Sequence, residues 1–598
     1  MYAYTEFDRS AVRQRAAQFR DQLQRHLKGE LGADEFKPLR LQNGWYVQRY
    51  APMLRVAVPY GEIRSDQLRA LARIAREYDQ PHAELWNQAQ STQDAIDPAR
   101  PAARLVYGVG HFTTRQNVQF NWIPLERSAD VMDLLAEVDM HGIQTSGNCI
   151  RNITTDALAG IAPDEVADPR PWAEIMRQWS TLHPEFAFLP RKFKIAITGA
   201  KEDRAAIGWH DVGLQLLRNP QGELGFRVQA GGGMGRTPII GSVLREFLPA
   251  HDILNYLEAL VRVYNLWGRR DNLYKARIKI LVKAEGARFA DEVDAEFRRT
   301  LDSGAAHRVT EAELQRVQAH FAPPPLACNR TDADQKMARI LRAAAEDDVE
   351  FGRWIQRNVH AHANPDLRAV TLSFKRIGQA PGDASADQLD AAALLVERFS
   401  CGEARVTHEQ NLLLPWVPCD QLPELWREAR RLGLAKPNIG LLSDIIACPG
   451  GDYCALANAR SLPLAAEVIE RYQDLDELDD LGPIDLHISG CINSCGHHHS
   501  GHIGILGVDK DGQEWYQITL GGSDGSKLSG TAQPGKVIGP SFAAAEVLQA
   551  IEAILGVYVQ HRTEGEPFIE ALRRIGHEPF RAAAHQVRHL TARQPVTA

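Results

Sequence analysis

Cysteine is scarce in this chain, with 8 among 598 residues, too thin a supply for the disulfide scaffold of a small secreted protein. Long apolar runs are missing too. No stretch approaches the roughly eighteen uninterrupted apolar residues that read as a membrane-spanning helix. The opening residues, MYAYTEFDRSAVRQRAAQFR, contain no apolar core of a secretory signal. These absences predict a cytoplasmic protein with no membrane partner. Net positive charge is lacking as well: 68 Lys and Arg against 76 Asp and Glu leave −8, so no global basic field recruits nucleic acid. The Gly-rich run GGGMGR, from Gly231, follows a hairpin strand pattern and lacks the G-x-G-x-x-G spacing before a helix. That excludes a nicotinamide site. What remains is an ordinary globular composition, 44% hydrophobic and 24% charged, with length for three or four domains.

Half of the few cysteines stand together. Cys448 and Cys454 form C-x5-C in ACPGGDYC, and Cys491 and Cys495 form C-x3-C in SGCINSCG. A tetrahedral zinc site usually closes each pair with two to four intervening residues, and the first pair here is wider. An iron–sulfur cube needs four thiolates converging from separate loops, with glycine beside them so that backbone N–H groups reach the sulfurs. Gly450, Gly451, Gly490 and Gly496 are placed for that. Two other readings stay open: a zinc-binding, non-enzymatic protein helped by His497, His498 and His499, and four inert structural thiols. Cys149, Cys328, Cys401 and Cys419 show no spacing logic and read as structural.

The chain is also built twice. TTRQNVQFNWIPLERSADVMDLLAEVDMHGI, from Thr113, is echoed by VTHEQNLLLPWVPCDQLPELWREARRLGL, from Val406. Both read as a strand, a Pro turn and an amphipathic helix ending at Gly142 or Gly433. Upstream, MLRVAVPYG from Met53 and AVTLSF from Ala369 are each followed by a helix opening with Asp-Gln-Leu, at Asp66 and Asp387. Downstream, RKFKIAITGA faces DLHISGC, and VGLQLLRNPQGELGFRVQAGGG faces IGILGVDKDGQEWYQITLGG. The last two read as hairpins turning at Gln221-Gly222 and Asp511-Gly512. An offset of about 290 residues is the scale of a duplicated domain rather than of a solenoid repeat. Residues 80–103 have no counterpart and read as a surface loop, and Pro323-Pro324-Pro325 marks a linker between the copies.

Where the second copy has cysteines, the first has cations. Arg55, Arg115, Arg151, Arg191, Lys192 and Lys194 fall in strand or strand-end motifs, and Arg236 follows the Gly-rich run. Cations in apolar strands are costly unless an anion meets them. Duplication predicts that equivalent positions face one shared cleft.

With these motifs in view, the chain from Phe36 to Phe568 resembles the siroheme-dependent sulfite and nitrite reductases, assimilatory single-chain type, through its Cys spacings, LPRKFK, TTRQNVQF, GGGMGR and its duplication. The resemblance implies an α+β fold, internally duplicated, with paired ferredoxin-like halves and two siroheme/iron–sulfur α/β domains. Expected boundaries are an N-terminal arm 1–50, ferredoxin-like half 51–140, siroheme and substrate domain 141–300, helical linker 301–365, second half 366–440, iron–sulfur domain 441–555 and C-terminal tail 556–598. It implies a [4Fe-4S] cluster on Cys448, Cys454, Cys491 and Cys495, with Cys495 also the axial ligand of the siroheme iron. Arg55, Arg151, Lys192 and Lys194 would face the substrate. Arg115, Gln119, Arg191, Arg277 and Asn493, with Thr113 and Asn117, would meet siroheme. His111 stands where some relatives have Arg, and is expected beside a siroheme carboxylate. The implied reaction is six-electron reduction of sulfite to sulfide, with nitrite to ammonia as the alternative. Lys194 favours sulfite, because a second Lys adds charge against a dianion. Electrons would come from a ferredoxin or a flavoprotein reductase, for which Arg573, Arg574 and Arg581 are candidate contacts.

Overall fold

The computed structural model describes residues 1–50, 52–96, 105–304, 306–325 and 333–591. At its centre lie two five-stranded sheets. The first runs Trp45–Val47, Pro52–Val56, Val118–Phe120, Val109–Phe112, Asp383–Ser385; the second runs Val359–His360, Leu367–Leu372, Leu412–Pro418, Glu403–Val406, Glu62–Arg64. Each half therefore lends a short strand to the edge of the other's sheet. Asp383–Ser385 pairs antiparallel with Val109–His111, and Glu62–Arg64 with Glu403–Arg405. The helices that follow the exchanged strands, Ser65–Glu77 and Ala386–Phe399, carry apolar residues at helical spacing, among them Leu68, Leu71, Ala75 and Leu389, Ala392, Val396. Both faces enter one common core. The second helix starts where Ser385 accepts from the Gln388 N–H and Gln388 reaches back, a capping box.

The exchange corrects the expectation for His111. Its Nδ1 meets Asp383 Oδ1 at 2.8 Å and its Nε2 meets the Gln410 amide at 3.0 Å, so both ring nitrogens are engaged inside the strand pairing. No ring nitrogen is left for a carboxylate elsewhere.

Outside this centre stand the two remaining sheets. Ile195–Thr198, Val212–Arg218, Leu224–Ala230 and Ser242–Pro249 form one. Ile446–Ala447, Leu486–Ser489, Ile503–Lys510, Gln513–Leu520 and Lys536–Val537 form the other, with Phe542–Ala543 also on Gln513–Leu520. In both, a parallel strand feeds an antiparallel hairpin. The expected turn at Asp511-Gly512 has both residues at positive φ, +55° and +79°, as a type I′ hairpin requires.

Residues 1–50 pack onto the first half: helices Glu6–Leu27 and Ala33–Gln42 bury Phe19, Leu23 and Phe36, and Trp45 joins the same core. The region expected as a loop at 80–103 is instead a helix, Ala83–Ile96, anchored by Trp86 against Trp122 and Tyr107; residues 97–104 lie outside the described ones. Cys328 also lies outside them. The linker contains helices Glu311–Gln318, Ala333–Asp347 and Val349–Asn358, the last with Trp354 fully buried. At the C-terminal end, Val547–His561, Phe568–Ile575 and His577–Thr591 cover the second sheet domain, burying Phe568 and Phe580. There Arg574 pairs with Glu566, Arg581 with Glu578, and Arg573 donates to the Ser529 carbonyl. Among the described residues no helix is long and apolar enough to cross a membrane.

Candidate active site

Two matching turns at the centre carry the site. Thr113 Oγ1 accepts from the Asn117 N–H at 3.2 Å, and Thr407 Oγ1 from the Asn411 N–H at 3.2 Å. Gln116 and Gln410 take left-handed backbone, φ +56° and +61°, and each amide stitches the copies together. Gln116 Nε2 donates to Val406 O at 3.1 Å, and its Oε1 accepts from the Thr155 N–H at 3.1 Å. Gln410 Nε2 donates to Phe112 O at 2.9 Å, and its Oε1 accepts from the Ala447 N–H at 2.9 Å. Thr113 and Asn117 thus shape the turn, Asn117 Oδ1 also accepting from Val58 N–H and Asn152 Nδ2.

Arg115 occupies the turn position that Glu409 takes in the other copy. It donates to Thr154 Oγ1 at 3.0 Å and Asn152 O at 2.7 Å. Burial pulls its pKa down to about 9, with Asp211 opposing and Arg151, Arg277 and Arg55 adding. Arg55 stands opposite Gln119 in the strand register and donates to its Oε1 at 3.0 Å, while Arg55 Nε is buried without a partner. Arg151 binds the carbonyls of Thr145 and Gly147. Arg191, Lys192 and Lys194 are half-buried, and among the described residues their side chains have no hydrogen-bond or ion-pair partner. Burial lowers the Lys192 ammonium to about 8, with Cys495 opposing and Arg151, Arg277 and Arg191 adding. Lys194 is held well below the usual amine range by burial, then by Arg115, Lys192 and Arg277, against Asp211. Arg55, Arg115, Arg151, Arg191, Arg277, Lys192 and Lys194 thus lie within electrostatic reach of one another as a connected group. Arg236 is exposed.

One carboxylate among these cations has no forewarning in the sequence. Asp211, fully buried, accepts from Arg277 Nε at 3.0 Å and Nη2 at 2.7 Å through Oδ1, and from the Lys194 N–H at 2.9 Å through Oδ2. Lys279, buried two residues after Arg277, staples the Gly-rich run by donating to Met234 O at 2.5 Å and Thr237 O at 2.6 Å. That run leans on the Cys loop: His499 Nε2 contacts Gly235 O at 2.9 Å, and Ser494 Oγ approaches Met234 Sδ at 3.7 Å.

The four cysteines converge from two loops. Cys448 ends the strand Ile446–Ala447, Cys454 follows a short turn at Gly450–Asp452, and Cys491 and Cys495 follow Leu486–Ser489. Gly490 N–H donates to Cys448 Sγ at 3.2 Å, as the glycine pattern predicts. The loops meet too closely for side chains: a Cβ on Gly496 would lie 1.9 Å from Ile488 O, and one on Gly450, at φ +59°, 2.0 Å from Ser461 Oγ. Burial pushes Cys448 and Cys491 up to about 12 and about 11 and raises Cys454, with Cys495 adding in each case. Asn493 is exposed beside them and bonds Cys491. Thr114 Oγ1 donates to Cys495 O at 2.9 Å, joining the first copy's turn to the second copy's thiol loop. Among the described residues no three of His, Cys, Asp and Glu close on a single-ion site. His498 is buried with both ring nitrogens unpartnered, and the His run belongs to no such group.

Duplication explains why one half alone carries the thiols. Residues following Thr155 and Ala447 in the matched turns are Asp156 and Cys448; counting on from the matched strands, Arg204 answers to Cys495. Asp156 and Arg204 form a buried ion pair at 3.5 Å, reinforced by Asp164 and Glu202. Conversely, Lys194 answers to Asp485, whose N–H meets His502 Nδ1 at 3.2 Å as the Lys194 N–H meets Asp211.

The family description "Nitrite and sulphite reductase 4Fe-4S domain" matches residues 146–301 and 442–589, and "Nitrite/Sulfite reductase ferredoxin-like half domain" matches 47–85 and 371–432. The chain belongs to the nitrite and sulphite reductase family. Among the relatives of this reductase are "Sulfite reductase [ferredoxin] 2" of Mycolicibacterium paratuberculosis, 28% identical, covering 88% of this chain and 83% of that protein, and the "Assimilatory ferredoxin-dependent nitrite reductase" of Haloferax mediterranei, 26% identical, covering 86% and 80%. The Mycobacterium tuberculosis NirA structure shares the fold with a TM-score of 0.69 at 24% identity, covering 92% of each chain.

Siroheme and a [4Fe-4S] cluster are the cofactors of this reductase, and the residues present fit both. Four thiols with a sulfur-directed N–H, set in loops too tight for any Cβ, are a donor set for a cluster. Arg191, without a partner among the described residues, and the neighbouring Arg115 and Arg277 suit a tetrapyrrole bearing many carboxylates, while the orphaned buried Arg55 Nε, Lys192 and Lys194 suit a small anion beside it.

Proposed function

We propose that this reductase converts sulfite to sulfide, with Cys448, Cys454, Cys491 and Cys495 holding the cluster and Cys495 joining it to the siroheme iron. The overall balance is one sulfite dianion, six electrons and seven protons giving hydrosulfide and three waters. Siroheme, coupled to the cluster, would supply the electron-transfer chemistry and an iron at which sulfur binds. Everything else falls to the chain. Arg55, Arg151, Lys192 and Lys194 bind the oxyanion, and charge-assisted donors of this kind grip oxygen most strongly where water is thin. Lys192, with its pKa near 8, is charged at neutral pH and gives up a proton readily, a match to the protons each departing oxygen needs. Arg115, Gln119, Arg191, Arg277 and Asn493 meet siroheme; Thr113 and Asn117 act by holding Arg115 in place. Asp211 orients Arg277 and the Lys194 backbone.

The observation that carries sulfite over nitrite is the pair of unpartnered amines, Lys192 and Lys194, beside Asp211, a carboxylate committed to Arg277. An arriving anion favours the charged form of both amines, and a dianion does so more strongly than monovalent nitrite. Nitrite reduction to ammonia at the same centres is the alternative, and curated relatives include enzymes of both names. The ferredoxin dependence named for those relatives supports a ferredoxin as donor, in the cytoplasm, where the thiols stay reduced. The test is Lys194→Asn: the ratio of kcat/KM for sulfite to that for nitrite should fall by about tenfold or more, the worth of about 1.4 kcal/mol. An unchanged ratio leaves the sulfite assignment without support.

A further inference from the structure

On the surface many charged side chains pair with one another, but one face does not follow that rule. Phe188, Leu266, Leu273 and Tyr274 are 65%, 81%, 55% and 84% exposed. They lie on two segments bound to each other. Arg270 Nη1 donates to Phe188 O at 3.0 Å, and Gly268 packs so tightly on Pro190 that a Cβ would stand 2.7 Å from the ring. Tyr264 Oη donates to Ala276 O at 2.8 Å, folding the 270–276 turn back onto the same helix end. Large apolar side chains gathered in the open mark a surface that another molecule covers.

The unpaired charges beside them are of one sign. Arg270 spends its donors on carbonyls and on Asn265 Oδ1. Neither it nor Lys275 has an ion-pair partner among the described residues, and Arg191 behind them has none either. Nearby acids are paired, Asp271 with Arg269 and Glu185 with Arg262, which it shares with Glu258 and Glu296. Arg270, Lys275 and Arg191 are then the unpaired cations flanking an apolar centre on a chain of net charge −8. An acidic partner is steered to such a face and then held by its apolar middle. Phe188 lies four residues before Lys192, so at most about 14 Å of chain separates this face from the cations of the site.

We propose that the face formed by Phe188, Leu266, Leu273 and Tyr274, with Arg270 and Lys275, is the docking surface for an acidic iron–sulfur electron carrier. The proposal rests on the functional reading above, and its test is read separately from turnover. A plant-type [2Fe-2S] ferredoxin is titrated against the full-length holoenzyme at low and high ionic strength. The variants are Arg270→Glu with Lys275→Glu, and Phe188→Ser with Tyr274→Ser. Rates are measured with ferredoxin and with reduced methyl viologen, which needs no docking.

Both variants should raise the ferredoxin Kd and KM by about tenfold or more, the charge reversal most at low salt. Siroheme absorbance and the viologen-driven rate should stay at wild-type values. Unchanged ferredoxin affinity overturns the proposal. So does loss of siroheme, which would make the face a wall of the cofactor cleft, and so does a wild-type dimer that the variants dissociate, which would give the face to a second copy of the chain. If the wild type reduces neither anion even with viologen, the functional reading falls, while the titrations still decide the face.

Discussion

Gly496→Ala is the sharpest probe of the thiol loops. The added methyl would sit 1.9 Å from Ile488 O and 3.1 Å from Cys448 N. Ordinary carbon–oxygen contacts lie beyond about 3.3 Å, so backbone must move by more than about 1 Å. The obstacle cannot rotate away, because Ile488 O belongs to the strand Leu486–Ser489 and accepts the Cys448 N–H at 3.2 Å. Separating these elements breaks that buried bond, costing about 1–3 kcal/mol, and overpacking adds about 1–3 kcal/mol. A displacement of that size also exceeds the roughly 0.5 Å within which a preorganised site must hold its ligands. The expected outcome is a folded but less stable protein with most of its iron and acid-labile sulfide lost, measured against protein concentration after anaerobic purification. Gly556→Ala is the control. Gly556 lies within the helix Val547–His561, with nothing within 4 Å of its would-be Cβ. That change should leave iron and sulfide unaltered and stabilise by up to about 1 kcal/mol. If Gly496→Ala keeps full iron, sulfide and stability, the close approach of the two loops is not what shapes the site.

Two further outcomes concern the cations. Lys192, with its pKa lowered to about 8, is charged below that pH and neutral above it; the KM expressed per sulfite dianion should therefore stay flat below pH 7 and climb between pH 7 and 9, with Lys192→Arg flattening the climb. Asp211→Asn removes the carboxylate that opposes the lowering of Lys194, so the alkaline limb of kcat/KM should move to lower pH; a limb that does not move would show that Asp211 acts on Arg277 alone.

What the sequence disclosed, and what it withheld, follows from the range of each signal. Cysteine spacing is a local covalent pattern, and LPRKFK and the paired TTRQN and THEQN turns repeat at a fixed offset, so thiols, cations and duplication were all readable. The Asp511-Gly512 hairpin was legible for the same reason. Strand exchange was not: Glu62–Arg64 and Asp383–Ser385 are three residues each, too short for any periodicity, and their partners are hundreds of residues away. His111 looked free for a cofactor because its partner Asp383 is donated by the other half. The helix Ala83–Ile96 was missed because its polar sequence, AELWNQAQSTQDAI, is held by an aromatic contact, Trp86 on Trp122, that only tertiary structure supplies. Asp211 gave no signal, since a lone Asp before an apolar strand reads as a turn.

The exchanged strands also set a timetable for synthesis. The edge at Val109–Phe112 stays bare until Asp383–Ser385 has been made, so the first half waits, with an open sheet edge, while some 270 further residues are added. At about 5–20 residues per second that is a delay of tens of seconds. An unpaired edge invites association with other nascent chains, which makes the amino-terminal half, severed near the linker, a poor candidate for a soluble fragment.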